Sequence, residues 1–349
     1  MDAGTTVVKA VVFDAQGREL AVQRRATVVD RPLPDRAEQD MDEVWEAVVH
    51  TVATTVARVG RPVRLIAVTA QGDGVWLVDA AGRPVRPAVL WNDGRAAQLL
   101  DHWRTTGLLD EVRALTGSQQ SAGMAPPLLC ALAREEPGSL RAAACTVTCG
   151  GWLLFNLTGR LAVDPSEVSA SWLDIRSGHY CEELVGLYGL EPHRGLLPPL
   201  LEGADRVRPL TASAGARLGV PAGTPVLLAP YDIVATAAGS GTTRPGQAVS
   251  VLGTTLCTEV VTAGLDLTGP PHGLTLAPAR PGATCGRSRR WPGARSSTGW
   301  PGCWVCPERP RCRSWPRDPP PAPTGSGCSP TWRPPGSALR SWTSRPPVC

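Results

Sequence analysis

The composition of the last fifth of this chain limits what that part can fold into more tightly than any motif does. Residues 281–349 hold 15 of the 35 prolines, 6 of the 11 cysteines and 6 of the 12 tryptophans. They hold one leucine, two valines and no Ile, Phe, Tyr, Met, Lys, Asn or Gln. A segment without aliphatic periodicity cannot bury a normal core. At 349 residues the chain is long enough for two domains, but the core has to come from what precedes the break.

Within the tail, Cys303 and Cys306 form a C-x-x-C pair, with Cys312 and Cys328 downstream. That spacing invites a zinc reading, but it lacks a matching His pair and a framework to hold ligands. A second account fits better. Lys9 is the only lysine among 35 basic residues, and Ala, Gly, Pro and Arg are in excess, as in a gene rich in G and C. Read out of frame, such a gene yields Arg, Pro, Gly, Ser, Trp and Cys. Back-translating "TCGRSRRWPGA" (284–294) from the third base of each codon permits LRAIAAMAGG, and "CSPTWRPPGSALRSWT" (328–343) permits LPYLAPAGERAPFLD. One base lost near codons 276–283 would produce the tail. Residues 279–349 are therefore expected to be out of frame and disordered, and not a metal module.

The charge divides at the same place. The tail carries 11 Arg against Glu308 and Asp318, a net +9, so residues 1–280 carry −5 of the overall +4. The body gives no electrostatic reason to bind nucleic acid or a membrane. No run of 18 apolar residues exists, and "MDAGTTVVKAVVFD" lacks the basic and apolar regions of a signal peptide. Five scattered cysteines in the body, Cys130, Cys145, Cys149, Cys181 and Cys257, fit a reduced, cytoplasmic protein. The Asn156-Leu157-Thr158 sequon is then a chance match.

The body alternates strands and helices, which predicts an α/β fold. "TTVVKAVVFDAQGREL" predicts two strands joined by a turn. In "MDEVWEAVVHTVATTVARVG" (41–60), Val44, Val48, Val52 and Val56 recur every four residues before a closing Gly60, which predicts an amphipathic helix. "VRLIAVTAQ" (63–71) predicts a buried strand, and residues 74–93 a hairpin turning at Ala81-Gly82. Residues 95–116, 124–135 and 150–159 predict helices. Residues 223–241 predict a strand, then Tyr231-Asp232, then a helix of small residues. Residues 246–261 predict strand, turn, strand. The pattern strand, Gly-Thr-Thr, strand occurs twice, at 2–14 and at 251–261, which suggests a duplicated domain.

A Gly-Thr-Thr turn lets the backbone approach a phosphate and supplies N–H and hydroxyl donors, though such a turn is more often only a hairpin. Asp2, just before the first turn, could hold Mg²⁺ directly or through water. Asp232 stands where a buried strand meets a helix N-terminus. It is either an N-cap or a general base that takes the proton of a hydroxyl attacking a γ-phosphate.

With these residues in order, the chain resembles the FGGY family of carbohydrate kinases from about residue 1 to 278. The resemblance is carried by Asp2-Ala3-Gly4-Thr5-Thr6 with Lys9, Gln71-Gly72-Asp73-Gly74, Leu90-Trp91-Asn92-Asp93-Gly94-Arg95, Tyr231-Asp232, and Leu252-Gly253-Thr254-Thr255. It implies an actin-like, RNase H-like fold in two copies with sugar and ATP between them. Residues 1–245 would be the sugar-binding domain and 246–278 the opening of the nucleotide-binding domain. It further implies Asp2 as the Mg²⁺-linked aspartate, Gly4, Thr5 and Thr6 as one phosphate loop, and Gly253, Thr254 and Thr255 as the other. Asp232 would be the catalytic base. Gln71 and Asp73 would contact sugar hydroxyls, as suits a carboxylate accepting from vicinal hydroxyls. Trp76 and Trp91 would flank the sugar or join the core. Asp93 would contact the sugar or pair with Arg95. The implied partners are ATP, Mg²⁺ and a small sugar or polyol, with a homodimer open.

Gly72-Asp73 stands where xylulokinases carry Met-His and glycerol kinases Arg-Glu, whereas "QGDGVWLVD" and "FNLTGRLAVDPSEVS" are more similar to the branch acting on L-xylulose, 3-keto-L-gulonate or erythritol, so the resemblance implies a ketopentose or small polyol as acceptor. Two departures from the pattern stand out. The family has a strand of several residues before the first turn, where here only Met1 precedes Asp2. Most of the second domain is also missing from this reading. A non-catalytic sugar-binding remnant is therefore the competing expectation.

Overall fold

The structure, a computed structural model, describes residues 1–252, 256–265, 267–268, 273–277 and, for the backbone, 286–291. The tail cysteines Cys303, Cys306, Cys312 and Cys328, and the second turn Gly253-Thr254-Thr255, lie outside the described residues.

Six strands form the main sheet. They are β1 (Asp2–Ala3), β2 (Val7–Phe13), β3 (Glu19–Ala26), β4 (Ile66–Ala70), β5 (Val207–Pro209) and β6 (Pro225–Leu228), in the order β5-β6-β4-β1-β2-β3. β1, β4 and β6 are parallel to one another, with Asp2 beside Thr69 and Leu228 beside Val68. The meander β1-β2-β3 is antiparallel. Parallel neighbours need crossover connections, and the long segments between these strands supply them.

Helix α1 (Met41–Val59) covers β2 and β3. Its Val44, Val48 and Val52 are buried, each burial stabilising by about 1.5–3 kcal/mol. Its start is fixed by Asp40, whose carboxylate accepts from the Glu43 N–H at 2.9 Å, and its end by Gly60 in the left-handed region at φ 60°. Helix α2 (Cys149–Thr158) packs on β4 and β6, capped by the Thr148 hydroxyl, which accepts from the Gly151 N–H at 3.1 Å.

One expectation changes in detail. Residues 95–116 form two helices, Ala97–Thr105 and Leu108–Thr116, broken at Gly107 with φ 82°. The turn at 79–82 forms, with the Gly82 N–H donating to the Asp79 carbonyl. The hairpin forms as well, with Val75 and Val89 exchanging both backbone hydrogen bonds and the Val85 N–H donating to the Leu77 carbonyl; each arm also takes a distant partner, Trp76–Val78 pairing with Cys145–Val147 and Ala88–Val89 with Glu38–Gln39. All three residues of Trp76–Val78 are buried, so this strand needs cover on both sides, which a two-stranded arm does not supply.

β1 fills only two positions between the seven residues of β2 and the five of β4. Next to Met1, a groove of about 660 Å³ continues along the line of β1. It is lined by Val11, Val12, Leu20, Val56, Val63 and Leu65, among others. Phe13, Leu20 and Leu65 are 58%, 42% and 51% exposed there, an apolar exposure that a strand in the groove would cover.

A second sheet comprises β7 (Ala248–Leu252), β8 (Leu256–Val261), β9 (Leu274–Leu276) and β10 (Gly286–Trp291), in the order β7-β8-β10-β9. β9 docks on the first part of the chain: Thr275 Oγ1 donates to the Gly117 carbonyl at 2.7 Å, and the Ala277 N–H donates to Ser169 Oγ at 3.0 Å. β7 is largely uncovered, with Leu252 84% exposed.

Candidate functional site

Because β1, β4 and β6 run the same way, their C-terminal ends lie side by side, and in open α/β sheets that edge is where ligands bind. β1 carries Asp2 and leads into Gly4-Thr5-Thr6. β4 leads into Gln71-Gly72-Asp73. β6 leads into Tyr231-Asp232, where helix α3 (Asp232–Gly239) begins. Thr69 ties two of these ends together, its hydroxyl donating to the Pro230 carbonyl at 2.8 Å.

Four carboxylates share one field here. Asp232 is half-buried, and its pKa is pushed up to about 7, first by burial and then by the negative charges of Asp2, Asp73 and Glu259. Its Oδ1 accepts the Ile233 N–H at 2.7 Å, which partly offsets the rise. Asp2 is also raised by burial, opposed by Lys9, its cross-strand partner, and by the terminal amine. Burial lifts Glu259, on β8, to about 7, and its buried Oε1 has no partner within hydrogen-bond distance. As for the N-cap alternative, Asp232 holds the first helical position and bonds only the next residue's N–H, so it is not an N-cap of the usual kind.

These oxygens suit a hard divalent cation, which would relieve their repulsion. Among the described residues, no three ligand-type side chains lie close enough to enclose one.

The polar residues of the three loops form one chain of hydrogen bonds. Thr5 Oγ1 donates to Gln71 Oε1 at 2.6 Å and accepts from the Trp91 indole N–H at 2.9 Å. Gln71 Nε2 donates to Gln39 Oε1 at 2.9 Å, and Gln39 Nε2 returns to the Thr5 carbonyl at 3.1 Å. The Thr5 hydroxyl proton is thus given to Gln71, and Thr5 braces the acceptor side of the site instead of donating to phosphate. Gly4 closes its turn by donating to the Val7 carbonyl at 3.1 Å, and Thr6 is exposed. Trp76 is fully buried against Trp152, ring centroids 6.1 Å apart, and belongs to the core. Trp91 is half-buried at the loop edge.

Asp93 departs from its expected sugar contact. Oδ1 accepts from the Arg95 N–H and Nε at 2.9 and 2.8 Å, and Oδ2 from the Ala37 N–H and Arg95 Nη2 at 2.7 and 3.0 Å. A carboxylate offers about four lone-pair sites, so none remains for a ligand. Burial pushes its pKa up, but the Arg95 and Ala37 bonds outweigh that and hold it below the usual carboxylate range. Asp93 and Arg95 are the structural ion pair.

Two residues were not singled out from sequence. Glu167 is buried beneath the site; burial and the Asp164 charge push its pKa up to about 8, with a smaller push from Asp232. Its Oε1 accepts from Thr148 Oγ1 at 2.8 Å and its Oε2 from the Asp164 N–H at 2.9 Å. The signal was present as the capping box Asp164-Pro165-Ser166-Glu167. Cys149, fully buried at the start of α2, lies in the field of Glu167 and Asp232, and burial raises its thiol pKa further from ionisation.

The model of the FGGY family of carbohydrate kinases, N-terminal domain, matches residues 1–239. The erythritol kinase of Brucella abortus is 35% identical over 269 residues, which is 73% of this chain and 50% of that protein. The L-xylulose/3-keto-L-gulonate kinase of Escherichia coli is 31% identical over 76% of this chain and 54% of its own length. The chain thus spans about half the length of these curated relatives. The crystal structure of xylulose kinase from Rhodospirillum rubrum superposes with a TM-score of 0.76 at 26% identity, over 84% of this chain and 60% of that one. Three parallel strand ends with their carboxylates, a family model over two thirds of the residues and a shared fold agree: this chain belongs to the FGGY family of carbohydrate kinases.

Proposed function

We propose that this chain carries the acceptor-binding half of an ATP-dependent carbohydrate kinase that moves the γ-phosphate to a hydroxyl of a ketopentose or small polyol. The observation that carries the reading is the convergence of Asp2, Gln71, Asp73 and Asp232 at adjacent parallel strand ends. Residues 1–245 are the sugar-binding domain and 246–278 open the nucleotide-binding domain, whose sheet also takes in β10 at Gly286–Trp291.

In this reading Gln71 and Asp73 accept from acceptor hydroxyls. Asp232, with a pKa near 7, takes the proton of the attacking hydroxyl, a value suited to a base working at neutral pH. Asp2 holds Mg²⁺ through oxygen, and the metal, when bound, neutralises charge on the phosphates. Gly4 and Thr6 line the phosphate path, while Thr5 and Trp91 fix Gln71. Gly253, Thr254 and Thr255 would serve as the other phosphate loop. The names of the relatives, erythritol kinase and L-xylulose/3-keto-L-gulonate kinase, support a small polyol or ketopentose.

One observation favours a second reading, a sugar-binding chain without turnover. The first two strands of the second sheet expose Val251 and Leu252 on β7 and Leu256 on β8, so the part that would clamp a nucleotide has little packed on it. Phosphoryl transfer depends on positioning, and the chain as it stands is expected to transfer no phosphate at a useful rate. The test measures binding of erythritol and L-xylulose to the full chain, and ADP release with each. Millimolar binding without turnover is expected; ordinary kinase turnover would overturn the second reading, and no binding of any ketopentose or polyol would overturn the first.

A further inference from the structure

Tyr231 is held at three points, and each leads to a different part of the site. Its backbone N–H donates to Ser166 Oγ at 2.9 Å. Ser166 Oγ donates in turn to Asp164 Oδ1 at 2.6 Å, and Asp164 is ion-paired with Arg206. Its phenol hydroxyl donates to Asp73 Oδ2 at 3.3 Å. Its ring lies on Gly72, where an added Cβ would stand 2.2–2.6 Å from three ring atoms, closer than any carbon contact allows. The residue is 1% exposed, and the next residue is Asp232.

The ring therefore takes the space that a side chain at position 72 would need. Asp73 beside it is the one non-glycine residue with positive φ among the described residues, at 55°, a conformation that costs a non-glycine residue energy and persists only where surroundings impose it. The Tyr231 bond is one such constraint. Tyr231 also packs with Met124, Ala170, Leu274 and Leu276 in a small cluster apart from the main core.

Resting on the carbohydrate-kinase reading, we propose that Tyr231 is a positioning residue for acceptor specificity: its hydroxyl aims the Asp73 carboxylate at vicinal hydroxyls of a small polyol, and its ring, seated on Gly72, keeps that carboxylate in register with Asp232. Gly72 and Tyr231 form a matched pair, because a larger residue at 72 would displace the ring and release Asp73.

The test titrates the full chain with erythritol, L-xylulose and 1,4-butanediol, which lacks vicinal hydroxyls, using wild type, Tyr231→Phe and Gly72→Ala. The hydrogen bond is to a charged group but long, so Tyr231→Phe is expected to weaken erythritol and L-xylulose about five- to tenfold while leaving butanediol unchanged. Gly72→Ala is expected to erode the same discrimination with the hydroxyl still present, and it carries the test should Tyr231→Phe not fold. Met124→Leu, in the same apolar cluster, should alter the unfolding midpoint without altering discrimination. Equal loss for all three ligands would make Tyr231 a packing residue only and overturn the proposal, as would unchanged affinities in both variants. Failure of wild type to bind erythritol or L-xylulose would instead overturn the kinase reading on which it rests.

Discussion

Glu167→Gln should make the protein more stable in mild alkali, although it alters a residue directly beneath the site. Glu167 is 6% exposed, and its pKa rises from 4.5 to about 8. The folded chain therefore holds this proton between pH 4.5 and 8, while the unfolded chain has released it. Stability from this group is full below pH 4.5 and is lost progressively as pH rises to about 8. At about 1.36 kcal/mol per pH unit the loss reaches at most about 5 kcal/mol. Glutamine copies the protonated acid: its amide N–H₂ can donate to Thr148 Oγ1, and its carbonyl can accept from the Asp164 N–H. The charged groups facing Glu167 are Asp164, which is paired with Arg206, and Asp232. Asp232 and Glu259 also have raised values, so they add slopes of the same sign, and only the difference between wild type and variant isolates Glu167. The assay is urea unfolding followed by tryptophan fluorescence from pH 5 to 9. The wild-type midpoint should fall relative to the variant by roughly 0.5–1.4 M per pH unit between pH 5 and 8, taking about 1–3 kcal/mol per M for urea. Parallel pH profiles for the two proteins would refute the reasoning, because the buried acid would then be ionised in both states or neutral in both.

Three further outcomes follow from other parts of the structure. In a version joined to a complete second domain, Asp232→Asn should abolish phosphoryl transfer while sugar affinity stays within severalfold, since the amide keeps the shape but takes no proton; substantial residual turnover would remove Asp232 from the chemistry. Arg95→Ala should cost about 3–5 kcal/mol in urea unfolding, because it leaves buried Asp93 without the cation bonded at 2.8 Å, while Glu38 keeps Arg86; a loss under about 1 kcal/mol would show that water replaces it. Joining five alternating apolar residues to Met1 should raise the unfolding midpoint and slow amide exchange at Val11, Val12 and Ala67, whereas the same length rich in proline and aspartate should not.

What could be read from sequence depended on how local the determining contacts are. The valines of α1, the capping Gly60 and the junction at Tyr231-Asp232 lie within a few turns of their partners, and all were legible as pattern. The convergence of Asp2, Gln71 and Asp232 was legible only through the family resemblance, because it requires three strands from far-separated segments to run parallel. Where the determinants are distant, local pattern misled or was silent. Trp76–Val78 is one arm of the expected hairpin, yet the strand on its other side comes from some 70 residues on, at Cys145–Val147, where no local pattern points. Thr5 and Asp93 carried the right chemistry for phosphate and sugar, but neighbours from other loops, Gln71 for Thr5 and Ala37 for Asp93, take up their hydrogen-bonding capacity.

Glu167 shows the same limit most sharply. Asp164-Pro165-Ser166-Glu167 is a sufficient local account of a helix start, and the capping bonds do form. Nothing in those four residues indicates that the turn is buried under β6, with Ser166 Oγ receiving the Tyr231 N–H. Burial turns a capping glutamate into an acid with a pKa of about 8. It also places that acid, through Ser166 and Tyr231, one residue from Asp232. The capping box thus serves two ends: it starts a four-residue helix, and it supports the loop that presents Asp232. The second role depends on a contact spanning 65 residues, and only the folded chain makes it visible.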